Sequence, residues 1–403
     1  MTAQTGSPAR NIALLSISQA LGGSGQAILI SVAALTAAGM APDPGLATLP
    51  VTLMIIGTAL ATGPAAWAIH SWGRRQGFVF GAAVSIPAAL LATAASWIGN
   101  FWLFCAALAA FGASAAFAAQ YRFAAADSVP PALKSQAISW VLFGGVLAGF
   151  IGPQLTILSK DLIPGATFSG AYLVMAGLAF LAIGVLSLTR LAPTVKRAED
   201  RKAGRSLAEL LRTPQIIVAM VGGAASYALM TLVMVGAPLA MVFVCGHTTE
   251  DAAFAIQWHI IAMFAPSFVT GSIVSRLGPH LTASLGLLSI LAAGVISLTG
   301  ISVGHFVASL VLLGVGWNLG FIASTALLAS NYRPEEAARV QGLNEQVVFG
   351  VMAVASIASG LLLQLIGWQS INVLAIAVAA CVIAILAWGQ YDAGRGRTGA
   401  PAG

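Results

Sequence analysis

Polar side chains recur at helical spacing inside long apolar runs of this 403-residue sequence. The first such stripe consists of Gln19, Gly22, Gly23 and Gln26. Its members fall at i, i+3, i+4 and i+7, which is one narrow face of a helix. Amides donate and accept hydrogen bonds, and glycine leaves room beside them. The stripe predicts either the wall of a polar cavity or close helix packing through glycine, with the amides bonded across helices.

Aromatic and polar residues also lie within apolar runs of the second half of the chain. Tyr227 and Thr231 are four residues apart, and Trp317 and Asn318 stand in the run GVGWNLGF. Tryptophan prefers the membrane interface, so its position near the middle of an apolar run is unusual. Trp317 is either a stacking surface for a planar ligand or a packing residue.

A histidine lies in the run IQWHIIAMFAPSFVTG. His259 and Gln257 are two positions apart, about 200° around a helix, so they face different sides. We expect the side with Gln257, Phe264 and Phe268 to face lipid or packing, and the side with His259 to face inward. His259 is then either a substrate or proton group, or a histidine bonded to a neighbouring helix.

Three further ionisable residues lie near the ends of apolar runs. Arg122 and Asp127 follow the fourth run in AAQYRFAAAD, where a snorkelling or paired structural role competes with contact to a solute. Glu345 is the most deeply embedded carboxylate in the sequence. It can pair with Arg339 or titrate together with a bound solute.

The composition is that of an integral membrane protein. Hydrophobic residues make up 59% of the chain and charged residues 7%, with a mean hydropathy of +0.93. Soluble domains carry about 25% charged residues. We therefore expect the lipid bilayer as a partner and the cell membrane as the location, and the family resemblance described below implies a bacterial inner membrane.

The sequence contains no pattern typical of an enzyme. No phosphate-binding Gly-x-x-x-x-Gly-Lys-Ser/Thr motif and no Ser/His/Asp arrangement is present. Cys105 and Cys381 lie in apolar runs and Cys245 stands alone in a short polar loop, so the three cysteines give no disulfide or metal framework. We predict no catalytic residue, no cofactor, no metal site and no nucleic-acid partner.

Cutting the chain at charged and Gly/Pro-rich breaks predicts an all-α protein with twelve membrane-spanning helices. Their ranges are 12–38, 48–71, 77–97, 101–124, 137–159, 170–190, 215–240, 252–275, 280–300, 303–329, 341–365 and 369–389. With both termini in the cytoplasm, every lysine and arginine except Lys160 lies on the cytoplasmic side, as the positive-inside rule requires.

The predicted spans divide into two six-helix bundles. We assign residues 1–190 and 215–390 to the bundles, 191–214 to a basic cytoplasmic linker and 391–403 to a cytoplasmic tail. Loops recur between the halves: VPPALKSQAIS, after span four, aligns with PEEAARVQGLN, after span ten. Shifting the sequence by the same number of residues also aligns AWAIHSWGRR, after span two, with GSIVSRLGPH, after span eight. Such recurrence predicts pseudo-symmetric bundles.

Twelve spans, a central basic loop and a Gly-Arg-Arg turn resemble the major facilitator superfamily, whose loop motif is Gly-x-x-x-Asp-Arg-x-Gly-Arg-Arg. The first copy matches this motif at Gly73, Arg74 and Arg75. The second copy matches at Gly271, Arg276 and Gly278, and Ser275 stands where the motif has its Asp. The resemblance extends from about residue 12 to 390. These residues are either a cytoplasmic gate or simple positive-inside anchors.

The resemblance implies a monomer that moves a small molecule by alternating access, through a cavity lined mainly by helices 1, 4, 7 and 10. Candidate substrate-binding residues are Gln19, Gln26, Tyr227, Thr231, His259, Trp317 and Asn318. Candidate gate residues are Gly73, Arg74, Arg75, Arg276 and Gly278. Candidates for a proton or charge pair are His259, Glu345, Arg122 and Asp127.

Three strings, YRFAAADSVP, IQWHIIAMFAPSFVTG and GVGWNLGF, are similar to a bacterial branch of the superfamily that includes proposed riboflavin uptake transporters. This finer resemblance implies a neutral, planar substrate with a hydroxylated chain, moved by secondary active or facilitative transport. Proton-coupled efflux of drugs or metabolites remains the alternative. A sensor or scaffold that transports nothing is the alternative from a different class.

Overall fold

The structure is a computed structural model that describes residues 7–130, 133–191, 204–333 and 336–398. Within these ranges the chain forms helices and no strand, as predicted. Residues 192–203 of the predicted linker and 399–403 of the predicted tail lie outside the described residues. The α-helices are α1 Pro8–Ala38, α2 Leu49–Trp72, α3 Arg74–Trp97, α4 Phe101–Ala118, α5 Tyr121–Ala126, α6 Lys134–Ser159, α7 Ser169–Ser187, α8 Leu207–Leu210, α9 Pro214–Leu239, α10 Thr249–Phe264, α11 Ser267–Leu277, α12 Pro279–Thr299, α13 Val303–Ala329 and α14 Ala337–Thr398.

The count of apolar helices in the described chain is lower than the predicted twelve. Ten helical stretches are long and apolar enough to cross a membrane, or eleven if α10 and α11 together form one span. These two helices meet at a bend of 47°. Pro266 lies between them and has no amide hydrogen to donate, so the helix breaks there. The eighth predicted span is therefore a broken helix.

The last two predicted spans form one helical segment, α14, of 62 residues. A straight helix of this length would extend about 93 Å, whereas the apolar core of a bilayer is about 30 Å thick. The segment breaks at Gly367, whose φ of 82° and ψ of 177° are not helical. Glycine adopts this positive φ without the clash that a Cβ atom causes.

The outer surface of the helices is suited to lipid. Seven tryptophans are exposed: Trp67, Trp72, Trp97, Trp102, Trp140, Trp258 and Trp388. Trp72, Trp97 and Trp102 lie in the first or last turns of their helices, where amphipathic rings meet lipid headgroups. Exposed aliphatic side chains lie between them. A soluble monomer rarely exposes apolar surface on this scale.

Helix packing in the first half of the chain recurs in the second half. In the N-terminal group, α1 packs on α6, α2 on α4, and α3 on both α4 and α7. In the C-terminal group, α9 packs on α14, α10 on α13, and α12 on both α13 and α14. Both groups extend between the same two ends of the molecule. We call the end with Gly73 and Gly278 the linker end, and the end with Lys160 and Glu250 the far end.

A buried ion pair fixes the described part of the linker to the C-terminal group. The Arg205 guanidinium donates to both carboxylate oxygens of Glu336, at 3.0 and 2.9 Å, and to the carbonyl of Asn331. The Glu336 side chain is fully buried and also accepts from the backbone of Arg333. The pKa of Glu336 lies far below its usual range, mainly because of the hydrogen bond from Arg205. The carboxylate is therefore charged at every physiological pH.

Glycine allows α2 and α4 to touch backbone to backbone. A Cβ atom at Gly57 would lie 2.2 Å from the carbonyl oxygen of Ala109, and one at Gly112 would lie 2.0 Å from that of Met54. Gly63, on the same helix as Gly57, would meet nothing within 4 Å. Only some helix glycines are therefore required by packing.

Substitution within α2 tests this distinction. We expect Gly57→Ala to destabilise the protein by about 1–3 kcal/mol, because the new methyl group must push α4 away. Gly63→Ala is the matched control and should be neutral or slightly stabilising, since alanine favours helix. Thermal unfolding of both purified variants in one detergent measures the effect. Equal midpoints for the two variants would contradict the assigned contact.

Candidate functional site

Polar side chains join the two helix groups at the far end. The amide of Gln154 on α6 donates to that of Gln257 on α10, at 2.7 Å. On the opposite side of the junction, Thr52 of α2 donates to Ser356 of α14, at 2.9 Å. Both bonds satisfy groups that would otherwise be enclosed among apolar helices without a partner. They bring the two groups together at this end.

An ion pair reinforces the junction at its edge. Lys160, directly after α6, donates to the carboxylate of Glu250 in the first turn of α10. This hydrogen bond raises the pKa of Lys160 above its usual value. Both side chains remain partly exposed, at 24% and 44%, so solvent weakens the attraction. The ion pair therefore contributes only modestly to holding the two groups together at this end.

The two groups separate toward the linker end. On α2, Val51, Met54 and Ile55 are buried near the junction. Further along the same helix, Leu60 and Trp67 are 74% and 63% exposed. Beyond its contact with α14 of the other group near Thr52, α2 is therefore less covered toward the linker end. The groups are joined at the far end, and we call the less covered region toward the linker end the open space.

The amide stripe of α1 lies beside this space. Gln19 and Gln26 are partly buried, and their amides bond to no other described residue. Gly22 has nothing within 4 Å of the place where a Cβ would stand. Gly23, in contrast, would bring its Cβ to 2.8 Å from that of Ala148 on α6. The stripe therefore combines a cavity wall with close helix packing, the two alternatives that the sequence left open.

An aromatic cluster occupies the C-terminal group. Tyr227 stands edge-on to Trp317 and Phe321, with ring centroids 5.0 and 4.7 Å away. Phe321 lies parallel to Trp317, and Phe264 stands edge-on to it. Trp317 is only 7% exposed, so it packs in this state rather than presenting a free face. Buried Thr231, one turn from Tyr227, leaves its hydroxyl unpaired, as Trp317 leaves its Nε1, within the described chain.

Asn318 has a structural use that the sequence did not predict. Its Nδ2 donates to the carbonyl of Met263, at 2.6 Å, and to the hydroxyl of Ser267, at 2.7 Å. Its Oδ1 accepts from Thr270, also at 2.6 Å. These atoms flank the break at Pro266, where the helix cannot bond to itself. In this state the amide of Asn318 braces the bend between α10 and α11 and has no free group for a solute.

His259 is fully buried between α10 and α13. Its Nδ1 lies 2.7 Å from the carbonyl of Leu310, so Nδ1 carries the proton. His259 thus lies inside its own group and is bonded to a neighbouring helix, one of the two roles that the sequence left open. The opposite side of α10 faces the other group, because Gln257 bonds there and Phe264 packs against Gly145 of α6.

Charged residues lie near the open space. Arg122 of α5 and Glu345 of α14 belong to different groups, and their charges interact with each other and with Tyr227. The Arg122 guanidinium lies over the Phe123 ring, 4.8 Å from its centre. Its Nε is buried without a partner among the residues that the structure describes. Glu345 is exposed to the space.

The two aligned turns have the same backbone shape. Gly73, between α2 and α3, has φ 90° and ψ 155°. Gly278, between α11 and α12, has φ 80° and ψ 159°. Both values lie in the region that favours glycine. The match supports the alignment of the halves that the loop sequences suggested.

The arginines of these turns differ in their contacts. Arg74 forms an ion pair with Asp127, just after α5, although the motif position that usually holds Asp is His70. Arg75 and Arg276 are exposed and form no ion pair within the described ranges. The first turn is thus tied to α5, whereas the second carries an unpaired cation.

Several residues of the site had no clear signal in the sequence. The Gln154 and Gln257 pair joins positions about a hundred residues apart, and nothing in either run marks the other. Lys160 had one signal that could have been used, because it is the single basic residue predicted on the outer side. The members of the aromatic cluster other than Tyr227 and Trp317 look like ordinary core residues.

Two helix groups that are closed at one end and open at the other, with amides and aromatic rings at the open space, define a membrane transporter that works by alternating access. No cluster of three potential metal ligands occurs in the described chain. The Major Facilitator Superfamily model matches residues 13–355, and the chain belongs to that family. It is a multi-pass inner-membrane transporter of small molecules, and its relatives are transporters, not enzymes.

Individual relatives cover nearly the whole chain. The riboflavin transporter RfnT of Brucella anthropi is 43% identical over 93% of this chain and 94% of its own length. Two uncharacterized MFS-type transporters of Bacillus subtilis, YddS and YdeG, are each 27% identical over 94% of this chain. Those alignments cover 90% and 92% of the two relatives.

Charge reversal tests the ion pair between Lys160 and Glu250 at the far end. Thr52→Cys, with Cys245 and Cys381 replaced by alanine, places a thiol in the closed junction. We expect Lys160→Glu to speed its labelling by up to about fivefold, since an exposed pair contributes about 1 kcal/mol at most. The exchanged pair, Lys160→Glu with Glu250→Lys, should restore slow labelling. Equally fast labelling of the single and exchanged variants would show that another contact holds this end.

Substitution of the buried histidine separates packing from proton transfer. In His259→Asn, the amide nitrogen can take about the position of Nδ1 and keep the bond to Leu310. We expect an unchanged pH profile of transport in proteoliposomes. His259→Leu loses that bond and should unfold more easily by about 1 kcal/mol. A shifted pH profile in His259→Asn would instead assign the ring a role in proton movement.

Proposed function

We propose that this transporter moves riboflavin, or a flavin close to it, into the cell. The observation that carries the proposal is the 43% identity with a riboflavin transporter along almost the full length of both chains. The chemistry of the open space agrees with such a substrate. Aromatic rings suit a planar ring system, and the amides of Gln19 and Gln26 suit its polar edge and hydroxyl groups.

The substrate would lie between the stripe of α1 and the aromatic cluster. Tyr227 is partly exposed and covers Trp317 in this state. A planar ligand that stacks here must displace the Tyr227 ring or slide beside it. A flavin ring is neutral, so it needs no charged partner within the cluster. Asn318 would contribute through packing, because its amide is already bonded. His259 is bonded through Nδ1, whereas its buried Nε2 has no partner among the described residues.

Charged groups at the linker end suit a gate. Arg122 and Glu345 lie on opposite groups, and approach of the groups would strengthen their attraction as water leaves. The turns at Gly73 and Gly278 would approach each other in the same movement and bring Arg276 toward the first group. Asp127 is already bonded to Arg74 and would steady α5. Glu345 is the residue best placed to couple a proton to transport.

The topology proposed for this cycle has twelve spans. Division of α14 at Gly367 supplies two of them, and α10 with α11 supplies another. The resulting bundles, 1–190 and 215–390, would move so that the far-end junction opens when the linker end closes, with both termini in the cytoplasm. The protein would act as a monomer, since each chain contains both halves of the cavity.

Flavin transport can be measured directly. Proteoliposomes containing the protein should take up riboflavin, and a riboflavin auxotroph expressing it should grow at low external riboflavin. We expect Trp317→Ala to reduce uptake about twofold to tenfold, because one aromatic contact is lost. Trp258→Ala is the matched control, since Trp258 is 42% exposed on the neighbouring helix and should be neutral.

Two outcomes would contradict the proposal in different ways. Absence of riboflavin binding and flux, beside an active control importer, would remove the flavin as substrate. Flux in proteoliposomes without growth of the auxotroph would retain the flavin and reverse the direction to export. Equal uptake by Trp317→Ala and Trp258→Ala would remove the aromatic cluster from the binding site.

A further inference from the structure

A polar slot lies inside the N-terminal group, beside the amide stripe. It runs between α1 and the helices α3, α4, α5 and α7, and its lining includes Gln19, Gln26 and Tyr121. The two glutamines are seven residues apart, so the slot extends about 10 Å along α1. Ser85 and Ser114 lie on its other side and bond to each other at 2.6 Å.

Three polar groups at the slot have no protein partner among the described residues. They are the two amides and the hydroxyl of Tyr121. Tyr121 is only 4% exposed, and its ring is held edge-on against Phe78, 4.8 Å between centroids. The amides and the hydroxyl group can both donate and accept hydrogen bonds. They are therefore available to water or to a neutral solute that enters the slot.

The size and charge of the slot limit what this solute can be. Its volume is about 40 Å³, against roughly 10–15 Å³ needed for one water molecule. The end of a hydroxylated carbon chain fits, and a planar ring does not. No charged side chain lines the slot, so a phosphate or carboxylate would be enclosed without a counterion. Neutral hydroxyl groups fit both limits.

Gly22 forms part of the wall of the slot on α1. Packing explains the neighbouring Gly23, whose Cβ would overlap Ala148, but it does not explain Gly22, which has open space above it. A side chain at position 22 would enter the slot without disturbing a helix contact. The absence of a side chain is therefore the feature that leaves room in the slot.

We propose that this slot binds the hydroxylated chain of the substrate, with Gly22 as the residue that determines specificity. The ring system remains between the helix groups, against the aromatic cluster. Hydrogen bonds to Tyr121 and the two glutamines replace those that the hydroxyl groups of the substrate lose to water on binding. The inference rests on the proposed function and adds which part of the flavin each helix group recognises.

Binding of two flavins by the purified full-length protein tests the slot. Riboflavin carries the hydroxylated chain, and lumiflavin has the same rings with a methyl group in its place. We expect Gly22→Val to weaken riboflavin binding by about tenfold or more, because the new side chain fills the slot. Tyr121→Phe, which removes only a hydroxyl group, should weaken it about threefold to tenfold. Neither substitution should change lumiflavin binding.

Gly177→Val is the matched control. Gly177 also has open space around it, but it is exposed on α7 and does not line the slot. The Gly177→Val variant should bind both flavins as the unsubstituted protein does. If Gly22→Val does not fold, Tyr121→Phe still decides the question through the ratio of the two dissociation constants.

The outcomes separate the slot from the function on which it rests. If the unsubstituted protein binds neither flavin, the proposed function fails and the slot assignment fails with it. If it binds both flavins, and Gly22→Val and Tyr121→Phe weaken both equally or neither, only the slot assignment is overturned. Loss confined to riboflavin supports both.

Discussion

Hydrogen bonding of enclosed polar groups is the constraint on which the rest of this structure depends. Apolar helices in a bilayer offer these groups no water, so each needs a partner or a ligand. Asn318 meets this need where Pro266 breaks the helix, and Gln154 and Gln257 meet it by joining the two groups. The bend and the closed end follow from such bonds.

The two helix groups share a packing scheme but differ in their chemistry. The alignment of the halves that pairs Gly73 with Gly278 also pairs Gly22 with Tyr227, and Gln26 with Thr231. An open glycine on one side thus corresponds to an aromatic ring on the other. Such asymmetry fits a ligand with two unlike ends, such as a planar ring that carries a hydroxylated chain. Pseudo-symmetric backbones position the helices, and the side chains divide the recognition.

Sequence patterns predicted most of the fold and part of the candidate site. Apolar runs identified the helices because a bilayer demands length and hydropathy, which are local properties. The aligned glycine turns were equally visible, and both have the expected backbone shape. The sequence could not show which helix contacts His259, since a helical wheel gives the sides of a helix but not which neighbour covers each side. Trp317 could be placed at mid-depth, yet its burial depends also on Tyr227, which is distant in sequence.

The sequence by itself determined the membrane class, the family and the glycine-containing stripe of α1, because hydropathy, charge and helical spacing act over short stretches of chain. Only the tertiary structure decided which polar groups are already bonded and which are free. Asn318 is bonded, whereas Tyr121 lines a slot with an unpaired hydroxyl. The reason is that a hydrogen bond depends on the distance and direction between two atoms. Those quantities arise when helices far apart in the chain pack together.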